Sequence, residues 1–334
     1  MTTTHEDASH QSTTGNNTMS SSSRDIAYYF ESAIVFIGLV GAAANALILY
    51  AMVASKQHEK QMLIFNQNVL DLFSSILLVA TYGAKLCDIP LVGVVGYWTC
   101  MWFLSENILW CGIIAAKCNL IFVSIERYIK VVHRTYSKKI LRKCVVYSAM
   151  AFSWISGFAV SMGITFSTTD LVDGVCYAYV FWSTRGSQLA YGIFYFLFYF
   201  VFILVTFIFC YGRILMLLRS QAQVMAAHGA SHTQQVKANS VQLSIIKTMV
   251  FVSAFYAVSD CPMDVYYLLM NIRTDMTIIE SGYYTVLFIS FLYICANPFI
   301  YAIKFEPVRR VLLRLIPGRK TNEQQTEGTT AAVQ

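Results

Sequence analysis

The sequence predicts an all-α membrane protein, a seven-transmembrane helix bundle followed by an amphipathic eighth helix. Three observations lead there. First, 57% of the 334 residues are hydrophobic and only 13% are charged, roughly half the charged share of a soluble globular chain. Second, apolar runs long enough for the ~20 helical residues that cross a hydrocarbon core recur seven times: Ser32 to Ala54, Met62 to Ala84, Met101 to Ile125, Val145 to Phe166, Leu189 to Tyr211, Thr248 to Met270 and Ser281 to Ile303. Backbone groups left unpaired in lipid cannot be hydrated, so each run must be a helix. Third, with the N-terminus outside, the inner loops and tail collect eighteen Lys and Arg residues, against four in the outer segments, Arg24, Lys85, Arg185 and Arg273. That asymmetry is the positive-inside signal. It orients a multi-pass plasma-membrane protein with an extracellular N-terminus. The net charge of +6 then reads as topology and attraction to anionic inner-leaflet lipids, not as nucleic-acid binding.

Residues 1–25 form a polar, Ser/Thr-rich extracellular tail without the apolar core of a signal peptide. Within it, Asn16-Asn17-Thr18 is a sequon that places glycosylation on Asn16. The seven-span membrane domain, residues 26–304, begins with a first span whose Gly41-Ala-Ala-Ala-Asn45 offers small residues for close helix packing. Asn45 needs a partner at that depth, and Asp71 of the second span is the one on offer. An ionisable residue in mid-span is costly and points to function. Asp71 is also where a sodium ion would be held; no organic cofactor is expected.

Cys100 stands at the outer mouth of the third span and Cys176 in the loop between spans four and five. A Cys100–Cys176 bridge suits the oxidising exterior and would pin that loop over the bundle, with Cys87 as the competing partner. Span six carries Ser259-Asp-Cys-Pro262 and span seven Asn297-Pro298-Phe-Ile-Tyr301, and each proline removes a backbone hydrogen bond and bends its helix. After span seven, residues 305–316 place Phe305, Val308, Val311, Leu312 and Leu315 on one face, the pattern of a helix lying in the membrane interface. Residues 317–334 are polar and read as a disordered cytoplasmic tail.

Taken in order, Asn45, Asp71, Glu126-Arg127-Tyr128, Trp154, Tyr211, Pro262 and Asn297-Pro298-x-x-Tyr301 resemble a rhodopsin-like (class A) G-protein-coupled receptor across residues 26–316. The resemblance implies that Arg127 is a switch, held by Glu126 at rest and freed to meet a Gα C-terminus when span six swings outward. Tyr211 and Tyr301 would line the opened cavity. It implies an extracellular ligand, a heterotrimeric G protein and arrestin as partners, with membrane lipids around the bundle. Some positions depart from the pattern: Asp260 replaces the tryptophan usual two residues before Pro262, and Ile203 stands near the usual span-five proline. Gln242 replaces the acid often opposite the switch arginine, leaving Glu126 as the sole latch, and Cys100 lies two residues farther from Arg127 than is usual.

Lys117 lies ten residues before Arg127, in the layer where the resemblance puts Asp260. A lone charge at mid-membrane costs at least ~2.5 kcal/mol, so a Lys117–Asp260 ion pair is expected, with Asp71 as the other possible partner. The outer cavity is expected to be aromatic and acidic, from Glu106, Leu109, Trp110, Asp264, Tyr267, Tyr284 and Phe291. Acids among aromatic rings suit a cation, so a basic peptide or an atypical amine ranks first and a lipid second. Leu109 stands where monoamine receptors carry an aspartate and Phe291 where opsins carry the retinal lysine, so neither of those ligands is favoured. The rival reading is a transporter or channel with Asp71, Lys117 and Asp260 as an ion relay, although no internal repeat supports it. No nucleophile–base or metal-ligand constellation suggests an enzyme.

Overall fold

A computed structural model describes residues 7–87, 89–228, 233–273 and 280–315. The tail 317–334 and the side chains of Asn16 and Gln242 lie outside the described residues. Eleven helices are α1 (Asp7–Ala54), α2 (Met62–Leu86), α3 (Gly93–Thr99), α4 (Asn107–Val132), α5 (Arg134–Ile140), α6 (Lys143–Thr168), α7 (Arg185–Phe196), α8 (Phe202–His228), α9 (Thr233–Ile272), α10 (Glu280–Lys304) and α11 (Glu306–Arg314), among the described residues. A two-stranded hairpin, β1 (Asp170–Val172) and β2 (Val175–Tyr177), interrupts the all-α expectation between α6 and α7.

The seven predicted spans correspond to α1, α2, α3 with α4, α6, α7 with α8, α9 and α10. Helix α1 starts inside the polar segment, and its membrane-length part is Arg24–Ala54. Among the described residues six helical stretches are long and apolar enough to cross a membrane, and α9, which carries Asp260 and Asp264 in its apolar stretch, completes the ring of seven. Helix α4 is the hub, packing against α2, α6, α8 and α9. Its approach to α6 depends on Gly157, where an added Cβ would run into the carbonyl of Cys111 and meet the Ala115 side chain at 2.8 Å.

Span three is not the continuous helix that its apolar run predicts. After α3 the chain makes a π-helical turn over Cys100–Leu104, and Glu106 takes a left-handed conformation at φ 60° before α4 begins. The wide turn and the break absorb the two additional residues between Cys100 and Arg127. They let Cys100 bridge to Cys176 at a Cα separation of 5.5 Å while Arg127 stays at the other end of the bundle. Cys87 is free and exposed. The hairpin that carries Cys176 turns through Asp173 and Gly174, both at positive φ (51° and 77°), which is the backbone twist a two-residue hairpin requires.

Span five holds a second π-helical turn, Leu197–Val201, close to where the proline is missing. Such a turn leaves a carbonyl without its usual donor, and the Tyr256 hydroxyl of α9 donates to the Tyr199 carbonyl at 2.9 Å. Phe305, just before α11, and Val308 within it are buried while Arg309 and Arg310 are exposed, the two-faced pattern expected of it.

Candidate functional site

Three layers of polar side chains run down the bundle, and α4 contributes to each. The uppermost opens into a cavity of about 450 Å³, the size of a small-molecule site. Lys85, Glu106, Trp110 and Ile114 line one side, Tyr191, Tyr195, Asp264, Tyr266, Tyr267 and Tyr283 the other, with Tyr179 and Trp182 of the hairpin loop above. The disulfide holds that loop against α3. Tyr179 is itself left-handed (φ 61°) and donates its hydroxyl to the Ser105 carbonyl at 3.1 Å; burial pushes its phenol well above the ordinary range. Glu106 Oε1 accepts from Tyr82 at 2.8 Å and from Lys85 at 2.5 Å. These bonds hold a backbone conformation that costs on the order of 1–3 kcal/mol for a residue with a side chain.

Four of the predicted ligand residues, Glu106, Trp110, Asp264 and Tyr267, line this cavity, and three do not. Leu109 is fully buried, because it stands about 100° round the α4 helix from Trp110. Phe291 lies beneath Trp110 and Tyr82, at ring-centroid distances of 6.4 and 5.8 Å. Tyr284 packs on Phe30 at 4.6 Å. The loop residues Tyr179 and Trp182, and Tyr191 and Tyr195 at helical spacing on α7, were not anticipated. The signal for the first two was their place just after Cys176 in a loop expected to be pinned over the bundle.

Directly below, Lys117 is 2% exposed and pairs with Asp260. Its Nζ also donates to Asp264 Oδ1 at 3.2 Å and to the Tyr195 hydroxyl at 3.4 Å. Ser290 donates to the free side of Asp260, Oδ1, at 2.8 Å. The predicted pair is therefore a triad, one ammonium between two carboxylates a helical turn apart on α9. Asp71 takes no part in it.

Asp71 belongs to the middle layer, where its carboxylate accepts from Gln67 at 3.1 Å and from Asn297 at 2.9 Å. Gln67 in turn accepts from Asn119 at 2.8 Å, Asn119 accepts from Asn66 at 2.9 Å, and Asn66 accepts from the Trp154 indole at 3.1 Å. This chain ties α2, α4, α6 and α10 together. Asn45 does not reach Asp71. Its amide donates to the Gly41 and Ile294 carbonyls and to Ser75, and Ser75 donates to the Asp71 backbone carbonyl. The expected single network is thus two, and among the described residues no hydrogen bond joins Asp71 to the Lys117 triad. Ser74 Oγ and Asn297 Oδ1 are buried oxygens without a partner beside Asp71 in sequence or hydrogen bonding, donors of the kind a hard cation takes.

At the far end Arg127 Nη2 donates to Glu126 at 2.7 Å and also to Gln61. Glu126 is therefore not the sole partner of Arg127, and it divides itself, since its other oxygen accepts from Lys130 at 2.6 Å. Tyr128 turns away, contacting His133 at 3.2 Å. Tyr211 joins α8 to Ser124 of α4 at 3.1 Å and to Ser253 of α9 at 3.2 Å, and Tyr301 is buried. Pro262 and Pro298 lie inside α9 and α10.

Residues 44–301 match the family described as 7 transmembrane receptor (rhodopsin family). Among solved structures, the crystal structure of squid rhodopsin is similar with a TM-score of 0.71, over 93% of this chain and 92% of that one, at 16% sequence identity. At that identity the likeness is one of fold.

Proposed function

Because the chain belongs to the rhodopsin family of seven-transmembrane receptors, we propose that it takes an extracellular ligand into the aromatic cavity beneath the hairpin loop and activates a heterotrimeric G protein at the Arg127 end. The observation that carries this reading is that one helix, α4, holds Trp110 and Ile114 at the cavity, Lys117 in the triad and Arg127 at the opposite end. A displacement of α9 against α4 would disturb the triad and the Tyr211–Ser253 contact together. It would therefore link ligand occupancy to release of Arg127.

The triad takes the place of the family's usual aromatic packing at that depth and is the transmitting element. A cationic ligand, a small amine or the tip of a basic peptide, fits the cavity ahead of a lipid. Asp71, with the Ser74 and Asn297 oxygens, would hold a sodium ion. Plasma-membrane placement with an extracellular N-terminus follows from the Lys and Arg distribution, glycosylation would fall on Asn16, and arrestin would share the Arg127 end with the G protein.

The deciding experiment uses the full-length protein in lipid nanodiscs with purified Gα subunits. Accelerated nucleotide exchange on one Gα class, lost in Arg127→Ala, is the expected outcome. Substrate uptake into vesicles with no exchange on any Gα would overturn it in favour of a transporter.

A further inference from the structure

The two charged clusters that bracket the cavity are each one ammonium short. Lys117 is shared by Asp260 and Asp264. Lys85 pairs with Glu106, and Glu31 lies within electrostatic reach of both. The cavity thus sits between two clusters in which carboxyl groups outnumber ammonium groups, although its walls are mostly aromatic.

The two clusters differ in what they leave open. Glu106 Oε1 already accepts from Tyr82 and Lys85. Asp264 lines the cavity and is 2% exposed; Lys117 donates to its Oδ1, the Asp260 carboxyl lies within hydrogen-bonding reach of it, and no N–H or hydroxyl group donates to its Oδ2. A buried carboxylate oxygen without a donor is costly, and a ligand that supplies one removes that cost. Tyr191, Tyr195 and Tyr267 line the same cavity, with ring centroids 5.2 to 6.4 Å from one another, and the Tyr195 hydroxyl shares the Lys117 ammonium with Asp264. A cavity that offers both a carboxyl group and aromatic ring faces favours an alkylammonium group over a neutral donor of the same size.

We infer that Asp264 Oδ2, in the cavity that Tyr191, Tyr195 and Tyr267 also line, is the subsite for the ammonium group of a small organic amine, which then shares the Asp264 carboxyl with Lys117. The inference rests on the cavity being the receptor's ligand site and names the chemical class of that ligand. Binding through span six sets it apart from a site organised on span three, where Leu109 is apolar and buried. When the amine takes Oδ2, Asp264 is divided between two ammonium groups and its hold on Lys117 weakens, so occupancy is registered directly in the triad.

The test uses benzylammonium as the probe and benzyl alcohol as its uncharged counterpart, with the full-length protein in nanodiscs and thermal unfolding as the readout. Benzylammonium is expected to raise the melting temperature saturably, by about 2 °C at ten times its dissociation constant, and benzyl alcohol is not. The rise should vanish in Asp264→Asn. Should that variant fail to fold, Tyr267→Leu keeps the charge and is expected to weaken benzylammonium about fivefold. Equal effects of amine and alcohol would overturn the assignment. So would a rise that persists in Asp264→Asn but disappears in Glu106→Gln, or an unchanged affinity in Tyr267→Leu. Because no G protein is present, failure here is distinct from failure of the receptor reading, which nucleotide exchange decides.

Discussion

Lys117 shows what a single residue can reveal in a membrane chain. A lysine in mid-span needs a counter-charge, so its pairing with Asp260 was legible from the sequence. Asp264 as a third member was not. One turn beyond Asp260 on α9, it read as a cavity residue, and the direction of its side chain decides that it faces both the cavity and Lys117. The triad changes what a mutation should do. Lys117→Met would strand two buried carboxylates side by side, and breaking a buried ion pair from one side costs about 3–5 kcal/mol, so surface expression should collapse. The triple variant Lys117→Met, Asp260→Asn, Asp264→Asn removes all three charges and leaves amides that can bond to each other and to Ser290. It should restore expression, measured by surface labelling, because a buried ionic cluster replaced as a whole is often neutral in stability. If the triple variant expresses no better than the single, the three residues are not one electrostatic unit.

At the scale of elements, the spans were legible because apolar length and the cost of unpaired backbone leave little choice in lipid. The interruptions were not. The π-helical turns at Cys100–Leu104 and Leu197–Val201 and the left-handed Glu106 leave no local composition signal. They are responses to tertiary demands: the disulfide at one end of span three, and the Tyr256–Tyr199 hydrogen bond in span five. The spacing from Cys100 to Arg127 was the visible symptom of the first. Helix approach gives the sharpest test at this scale. A side chain at Gly157 has to push α6 off α4, where the Cys111 carbonyl and Ala115 stand in contact range. Overpacking typically costs about 1–3 kcal/mol. Gly157→Val should therefore lower the melting temperature of the nanodisc-embedded protein by several degrees, whereas Gly163→Val, at a position with nothing within 4 Å of an added Cβ, should leave it nearly unchanged. Equal melting temperatures for the two variants would remove close α4–α6 packing as a determinant of stability.

For the molecule as a whole, the question is how firmly the resting bundle is latched at the Arg127 end. The sequence suggests a latch of Glu126 alone; the structure adds Gln61 and subtracts part of Glu126, which Lys130 also claims. Arg127 Nε is buried without a partner, so the arginine remains under-satisfied, and a partner offering more acceptors could draw it away. Among the described residues, the Tyr211–Ser253 contact also restrains α9 in this region. A hydrogen bond to a neutral amide contributes about 1 kcal/mol, which shifts a two-state equilibrium roughly fivefold. Unliganded receptor in nanodiscs should accordingly accelerate nucleotide exchange on its Gα above the receptor-free rate, and Gln61→Leu should raise that basal rate by up to about fivefold without a ligand. A wild-type protein that is silent until liganded would show the latch to be tighter than these contacts account for. A Gln61→Leu variant with a lower basal rate would mean instead that Gln61 supports the released arginine, so that the same side chain serves the active arrangement and not the resting one.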